Sequence, residues 1–108
     1  MTEVVRQISK DFSSLVDILG IVPEQGCIEV QRDGPGKVHD WHRHPNEETL
    51  IILQGDITFS LESGDIVCGP GDALMLSAND LHKSAAGPNG VVYLIAFRWL
   101  GLEGKVSI

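Results

Sequence analysis

From Pro23 onward, short apolar runs alternate with turn residues along the chain. The runs include "ETLIILQ", "DITFSLE", "DALMLS" and "VVYLIAFRWL", and the turns between them are rich in glycine, asparagine and aspartate. Regularly spaced short strands with such turns are typical of antiparallel sandwiches and barrels. We expect hairpin turns at Gly55-Asp56 and Gly64-Asp65, and a tight corner at Gly69-Pro70-Gly71. This part of the chain therefore predicts an all-β domain.

The segment before Pro23 has a different pattern. Residues 1–10 alternate weakly and could add an edge strand. In "DFSSLVDILG", residues 11–20, apolar side chains recur at a helical spacing, with Asp11 or Ser13 as alternative caps and Gly20 at the end. The pattern predicts one short helix. We divide the single domain of 108 residues into an N-terminal arm with this helix, residues 1–25, and a barrel, residues 26–108.

The alternation within each strand predicts which side chains point inward. In "ITFSLE" the apolar set is Ile57, Phe59 and Leu61. In "CIEVQR" the apolar set is Ile28 and Val30, which puts Arg32 on the same inward face. The last run, residues 91–100, is almost wholly apolar, so we expect it to be covered on both faces.

Charge and cysteine usage narrow the classes of partner and compartment. The formal net charge of −7 argues against nucleic acid and against anionic membrane surfaces, because both attract basic patches. No apolar run is long enough to span a bilayer, and the N-terminus has no apolar signal core. Cys27 and Cys68 do not form a Cys-x-x-Cys pair, so we expect buried thiols rather than a disulfide. These features predict a cytoplasmic protein.

Three of the four histidines lie within six residues, in "HDWHRH". On a strand, His42 and His44 share one face with their Cβ atoms roughly 6–7 Å apart, whereas His39 has the opposite parity and should point away. If the next strand pairs back antiparallel, Glu48 faces the core and Glu47 faces solvent. A further histidine, His82, begins a later strand. Taken singly, each of these residues could equally be a surface or hydrogen-bonded core side chain.

Together these positions resemble the cupin superfamily in its small single-domain form. The first cupin motif has a glycine, His-x-His, a glutamate and a second glycine at fixed gaps, and it is matched by Gly36, His42, His44, Glu48 and Gly55. The second motif is matched by Gly71 and His82, but its proline, glycine and asparagine are replaced by Ser77, Asn79 and Ala86. The glycine position requires a left-handed backbone, which asparagine tolerates best among the other residues.

The resemblance implies an all-β double-stranded β-helix, a cupin or jelly-roll barrel, with the short N-terminal helix outside it. It also implies a metal bound by His42, His44, Glu48 and His82. Three imidazoles and a carboxylate without a thiolate suit one divalent transition metal, namely Fe, Mn, Ni, Co, Cu or Zn. An octahedral metal would keep open positions for water, substrate or dioxygen, which is the physical case for an enzyme.

Four further residues are candidates for substrate binding or for supporting the ligands. They are Asp40, Gln54, Ser84 and Arg32. Asp40 shares a strand face with His42, Gln54 with Glu48, and Ser84 with His82. The guanidinium of Arg32 could meet a substrate carboxylate. The alternatives are that Asp40 ends a strand in solvent and that Arg32 lies at the rim.

The resemblance leaves several functions open. The first hypothesis is a metal-dependent enzyme acting on a small organic substrate. Within it, family analogy favours dioxygenase or other oxidoreductase chemistry, with isomerase, decarboxylase or lyase chemistry as alternatives. A metabolite-binding or sensing protein without catalysis is the second hypothesis, and a structural barrel with a vestigial site is the third. Similar proteins are commonly dimers, and strands such as "TLIIL" supply more apolar residues than one inward face needs, so we expect a homodimer.

Overall fold

The computed structural model describes residues 2–7, 20, 25–26, 28–100, 102 and 106–107. Apart from Gly20, the helix predicted over residues 11–20 lies outside the described residues, as does Cys27. The described part of the chain contains no helix that is long and apolar enough to cross a membrane. The described residues form β-strands, namely β1 Glu3–Val5, β2 Ile28–Asp33, β3 Val38–His42, β4 Glu48–Leu61, β5 Gly64–Cys68, β6 Ala73–Leu76, β7 His82–Ala96 and β8 Val106–Ser107.

The strand pairings are antiparallel, and two long strands organise them. Hydrogen-bonded neighbours follow the order β2-β7-β4-β6-β1-β8, with β3 also on β7 and β5 also on β4. β4 and β7 pair along almost their whole length, from Thr49 opposite Ala96 to Leu61 opposite His82. β1 pairs with β6 and β8, so the N-terminal arm adds a strand as predicted, but it lies between two strands rather than at an edge. The all-β prediction is confirmed.

The prediction of a hairpin turn at Gly55-Asp56 is wrong, because β4 runs through these residues as one strand. The β4–β7 register shifts just before and just after the Gln54-Gly55 step, so the chain bends there without reversing. Gly55 has a φ of 77°, and a Cβ on it would lie 2.1 Å from the carbonyl oxygen of Gly90. Glycine therefore permits a close approach of the two long strands.

The next two turns lie close to their predicted positions. The hairpin between β4 and β5 closes with Leu61 opposite Gly64, so residues 62–63 form its turn and Gly64-Asp65 already belong to β5. The tight corner at residues 69–71 is confirmed, since the Asp72 N–H donates to the Gly69 carbonyl oxygen at 3.0 Å.

Apolar side chains pack on both faces of the central strands. The interior cluster contains Ile57, Phe59 and Leu61, at most 8% exposed, which confirms the inward parity predicted for this part of β4. A second cluster on the opposite face includes Ile51 and Met75, with others from β1, β7 and the segment after it. The covering of the last apolar run on both faces is confirmed, because most of its side chains divide between the two clusters.

The inward face predicted for β2 is wrong. Ile28 and Val30 are 38% and 69% exposed, and Arg32 is also exposed. The polar side chains of Gln31 and Asp33 are the ones turned inward, half-buried and buried respectively. The two faces of β2 alternate as predicted, but the apolar face is the outer one, because the interior beside this strand is a cavity lined partly by polar groups.

Two local predictions concern single side chains. Asn79 has a φ of 65°, so it adopts the left-handed backbone expected at this position of the second motif. Cys68 is a buried free thiol, and burial raises its pKa to about 11. Such a thiol is a poor nucleophile, and it behaves here as a small apolar core residue.

Candidate metal centre

The three predicted histidine ligands come together, with Glu48 beside His44. His42 ends β3 and lies opposite His82, which begins β7. His44 follows two residues later, and Glu48 begins β4. One ligand nitrogen from each of the three imidazoles lies within 4.8 Å of the other two. The Glu48 carboxylate lies outside this close group, with its Oε1 3.5 Å from Nε2 of His44.

Each of these imidazoles is oriented by a backbone carbonyl two residues away. Nδ1 of His42 lies 2.6 Å from the Asp40 oxygen and Nδ1 of His82 lies 2.8 Å from the Asp80 oxygen. Nδ1 of His44 lies 3.1 Å from the Asn46 oxygen. A carbonyl can only accept, so each Nδ1 carries the proton and each Nε2 keeps its lone pair. This is the tautomer that a metal ligand requires when its other nitrogen is hydrogen-bonded.

Burial shapes the charges of the cluster. Burial lowers the pKa of His82 despite the opposing effect of the Asp80 carbonyl, which favours the neutral, metal-binding imidazole. Burial also raises the pKa of Glu48, while His44 and His42 act in the opposite direction. A cation among these side chains would stabilise the carboxylate against that desolvation.

The donor set fits a divalent transition metal. Three lone pairs on Nε2 and one carboxylate oxygen are ligands suited to Fe, Mn, Ni, Co, Cu or Zn, and they do not distinguish among these. His42, His44, His82 and Glu48 would hold the ion. A bound metal would supply Lewis acidity and open coordination positions, while the protein supplies the cavity around them.

A cavity of about 250 Å³ adjoins these ligands. Its apolar wall consists of Leu50, Phe59, Leu76, Ile95 and Phe97, and its polar wall, apart from the four ligands, consists of Glu29, Gln31, His39, Ser84 and Tyr93. The site therefore combines a few converging polar groups with an apolar surface, as small-molecule sites usually do.

The four predicted supporting residues divide among different places. Ser84 is buried and lines this cavity. Asp40 is exposed in the middle of β3 rather than at a strand end, and its carboxylate accepts the Trp41 N–H at 2.8 Å. Arg32 and Gln54 are exposed and line a different cavity. Gln54 leaves the face of Glu48 because the register shifts after Ile52, and Arg32 lies on the outer face of β2.

The prediction that His39 points away from the ligands is wrong. His39 lies opposite Ser84 and His42 lies opposite His82, so a step of three residues on β3 matches a step of two on β7. The extra residue is a bulge, and it returns His39 and His42 to the same side of the strand. Simple alternation cannot reveal a bulge, which is why parity alone misplaces this residue.

His39 belongs to a hydrogen-bonded network around Asp33. One carboxylate oxygen of Asp33 lies 3.0 Å from Nε2 of His39 and accepts the Tyr93 hydroxyl at 2.9 Å. The other accepts the Gln31 amide at 3.1 Å. Burial raises the pKa of Asp33, but the hydrogen bonds from Gln31, His39 and Tyr93 outweigh it, so the net pKa lies below the usual value. Burial and the Asp33 carboxylate raise the pKa of Tyr93.

Known proteins share this arrangement of strands. Residues 29–97 match a family model described as a cupin domain. A cupin superfamily protein from Desulfitobacterium hafniense DCB-2 is 21% identical, with a TM-score of 0.59, over 67% of this chain and 66% of that one. KdgF from Halomonas sp. is 24% identical, with a TM-score of 0.55, over 67% and 68%. A DUF861 family protein from Thermotoga maritima is 15% identical, with a TM-score of 0.59, over 90% and 99%.

These structural likenesses concern the fold, since the identities are low. The chain spans about two thirds of the length of the first two of these proteins. No curated protein matches the chain significantly. The family match covers most of the strands described above, including all four predicted metal ligands. By this match and its fold, the chain belongs to the cupin family.

Proposed function

We propose that this protein is a metal-dependent enzyme acting on a small organic molecule, with His42, His44, Glu48 and His82 as its metal ligands. One observation carries the proposal: three imidazoles converge with each Nδ1 hydrogen-bonded to a carbonyl, so that three Nε2 lone pairs are available beside a carboxylate. The shared tautomer leaves the same nitrogen of each ring free, and ligating histidines almost always donate their other N–H to an acceptor in this way.

The cavity supports a small substrate. Its volume of about 250 Å³ lies just below the usual range for ligand pockets, which begins at roughly 300 Å³. Phe59 and Ile95 can contact an apolar part of the substrate, while Ser84 can hydrogen-bond to a polar part.

Two reaction classes are open to such a site. Oxygen-dependent chemistry of the dioxygenase or oxidoreductase type is supported by the resemblance to other cupins and by the open positions expected on the metal. Isomerase or lyase chemistry is supported by the buried Asp33 carboxylate and the His39 imidazole beside the cavity, because proton transfer requires such groups.

The enzyme proposal is tested with protein loaded separately with Fe and Mn. The substrates are a panel of phenols, thiols and keto acids, with oxygen uptake followed by electrode and anaerobic product formation by NMR. We expect metal-dependent turnover that Glu48→Gln lowers at least about tenfold, a typical loss for a perturbed metal site. The exposed neighbour variant Glu47→Gln should retain it. Binding of panel compounds in calorimetry without any turnover would instead identify a metabolite-binding protein.

We further propose that the protein acts as a homodimer in the cytoplasm. The cytoplasmic location follows from the sequence, which has two isolated cysteines and no disulfide framework. The exposed apolar side chains of Ile28 and Val30 on β2 support a second copy as the partner.

A further inference from the structure

We propose that His39, oriented by Asp33, is a general acid–base that moves a proton to and from a carbon atom of the substrate. This inference rests on the metal-dependent enzyme proposed above, and it selects the isomerase class within it. The substrate class that we infer is a small hydroxy-carbonyl or keto-acid compound, which carries an acidic C–H bond next to a carbonyl group.

The β3 bulge places the base beside the metal ligands. His39 pairs with Ser84, and the next pair on the same side of the ladder is His42 with His82. Neighbours two residues apart on a strand are separated by roughly 6–7 Å. His39, Ser84 and His82 all line the same cavity. The base therefore lies about one ladder step from the ligands, in the wall of the same cavity.

Hydrogen bonding around Asp33 fixes the tautomer of His39. The Asp33 carboxylate is surrounded by donors from Gln31 and Tyr93, so it is an acceptor toward Nε2 of His39 as well. Nε2 of His39 therefore carries the proton, and its 3.3 Å approach to the Gln31 amide is a contact between two donors. Nδ1 keeps its lone pair, and no residue in the described part of the chain donates a hydrogen bond to it.

This tautomer is opposite to that of the ligands. His42, His44 and His82 carry their protons on Nδ1, whereas His39 carries its proton on Nε2. The same cavity thus holds two kinds of imidazole, one prepared to donate a lone pair to a metal and the other prepared to take a proton. The buried carboxylate stabilises the imidazolium that forms when Nδ1 is protonated, as an aspartate does for a catalytic histidine.

The spacing between base and ligands suits enolisation. A general base acts over about 3 Å from the proton that it takes. With His39 about one ladder step from the ligands, a C–H bond next to a carbonyl group held among the imidazoles is the bond that such a base can reach. A hydroxy-carbonyl or keto-acid compound carries this bond.

The proposed step is balanced without a co-reactant. Nδ1 of His39 takes the proton, the C–H electron pair forms a carbon–carbon double bond, and the carbonyl π pair moves onto oxygen. The proton then returns from Nδ1 to the former carbonyl carbon, and the hydroxyl proton moves between the two adjacent oxygens. The product is the isomeric hydroxy-carbonyl compound. Return to the original carbon yields exchange with solvent hydrogen and no net change.

Hydrogen exchange tests the step directly. Metal-loaded protein is incubated with dihydroxyacetone and with pyruvate in D₂O, and loss of the C–H signals is followed by ¹H NMR. We expect catalysed exchange of at least one probe, and a fall of at least about 100-fold in His39→Gln, the usual size of a lost general base. Asp33→Asn should also slow exchange strongly, while Asp65→Asn on the exposed part of β5 should not. Unchanged exchange in His39→Gln, or none above background in the wild type, would overturn the proposal.

A second readout does not depend on activity. ¹⁵N spectra of the metal-free imidazoles should show the Nε2–H tautomer for His39 and the Nδ1–H tautomer for the three ligands. An Nδ1–H tautomer at His39 would contradict the role of Asp33. Metal content measured on the same samples separates the two proposals. A wild type that binds no metal refutes the metal site itself, whereas bound metal without exchange refutes only the role of His39.

Discussion

The three ligand imidazoles are oriented by hydrogen bonds that each span only two residues of the chain. Nδ1 of His42 is held by the carbonyl of Asp40, and Nδ1 of His82 by that of Asp80. The four positions of the candidate site could be predicted from the sequence because they match the spacings of the two family motifs. His39 could not, because its orientation depends on a bulge between β3 and β7.

Asn79 is the residue for which backbone conformation gives the clearest prediction. Its φ of 65° is unfavourable for a side chain with a Cβ, typically by about 1–2 kcal/mol, and asparagine reduces that cost. We expect Asn79→Ala to lower the free energy of unfolding by about 1 kcal/mol and Asn79→Gly to leave it close to the wild type. Urea denaturation measures the free energy of unfolding of both variants. Equal stability of the two variants would show that the left-handed conformation is not retained in solution.

Among the secondary-structure elements, the strands predicted from apolar runs are present, but several begin or end at other residues than predicted. The inward face of β2 is also the opposite of the predicted one. Residues 55–56 and 87–90 contain typical turn residues, yet β4 and β7 pass through them as continuous strands. The close approach of Gly55 to Gly90 explains this, because glycine serves here for backbone contact between strands rather than for chain reversal. A sequence pattern shows where glycine occurs and does not distinguish these two uses.

The corner between β5 and β6 connects the N-terminal arm to the barrel through Asp72. Its carboxylate accepts the Gly69 N–H at 2.9 Å, Nη1 of Arg6 at 2.8 Å and the Gln7 N–H at 3.2 Å. Burial raises the pKa of Asp72, but these three donors outweigh it and bring the net pKa below the usual value. The carboxylate is therefore more stable in the folded state than in the unfolded one.

Linkage then gives the sign of the pH dependence. A carboxyl whose pKa is lower in the folded state contributes stability above the unfolded pKa, about 3.9, and loses it as the pH falls through the folded pKa. We expect Asp72→Asn to lower the free energy of unfolding by about 1–3 kcal/mol at neutral pH and to flatten its fall below about pH 4. Asp65→Asn, on an exposed strand position, is the matched control. An unchanged acid slope in Asp72→Asn, measured by urea denaturation from strongly acidic to neutral pH, contradicts this account.

At the scale of the whole molecule, the family and the all-β fold could be predicted because the first motif occupies fixed positions on neighbouring strands. The proposed reaction could not, because it depends on Asp33, Tyr93 and His39, which come together from β2, β7 and β3. Their contacts span up to 60 residues, and no local spacing indicates them.

The outer face of β2 gives the prediction for assembly. Val30 is 69% exposed and Ile28 38% exposed on this strand, which lies at one end of the strand order. We expect the protein to sediment at twice the mass of one chain and Val30→Asp to shift it toward the monomer, because a charge in an apolar interface is costly. A wild-type monomer in analytical ultracentrifugation would refute the homodimer.

We propose that His42, His44, Glu48 and His82 hold a transition metal, and elemental analysis of untagged protein after gel filtration measures this binding. We expect about one transition-metal ion per chain in the wild type and in Glu47→Gln, and a loss of at least about tenfold in His42→Ala. Melting temperatures of the same samples should rise on metal addition in the first two proteins and stay constant in His42→Ala. A wild type without bound metal and without any such rise, or a His42→Ala variant that retains both, would refute this metal site.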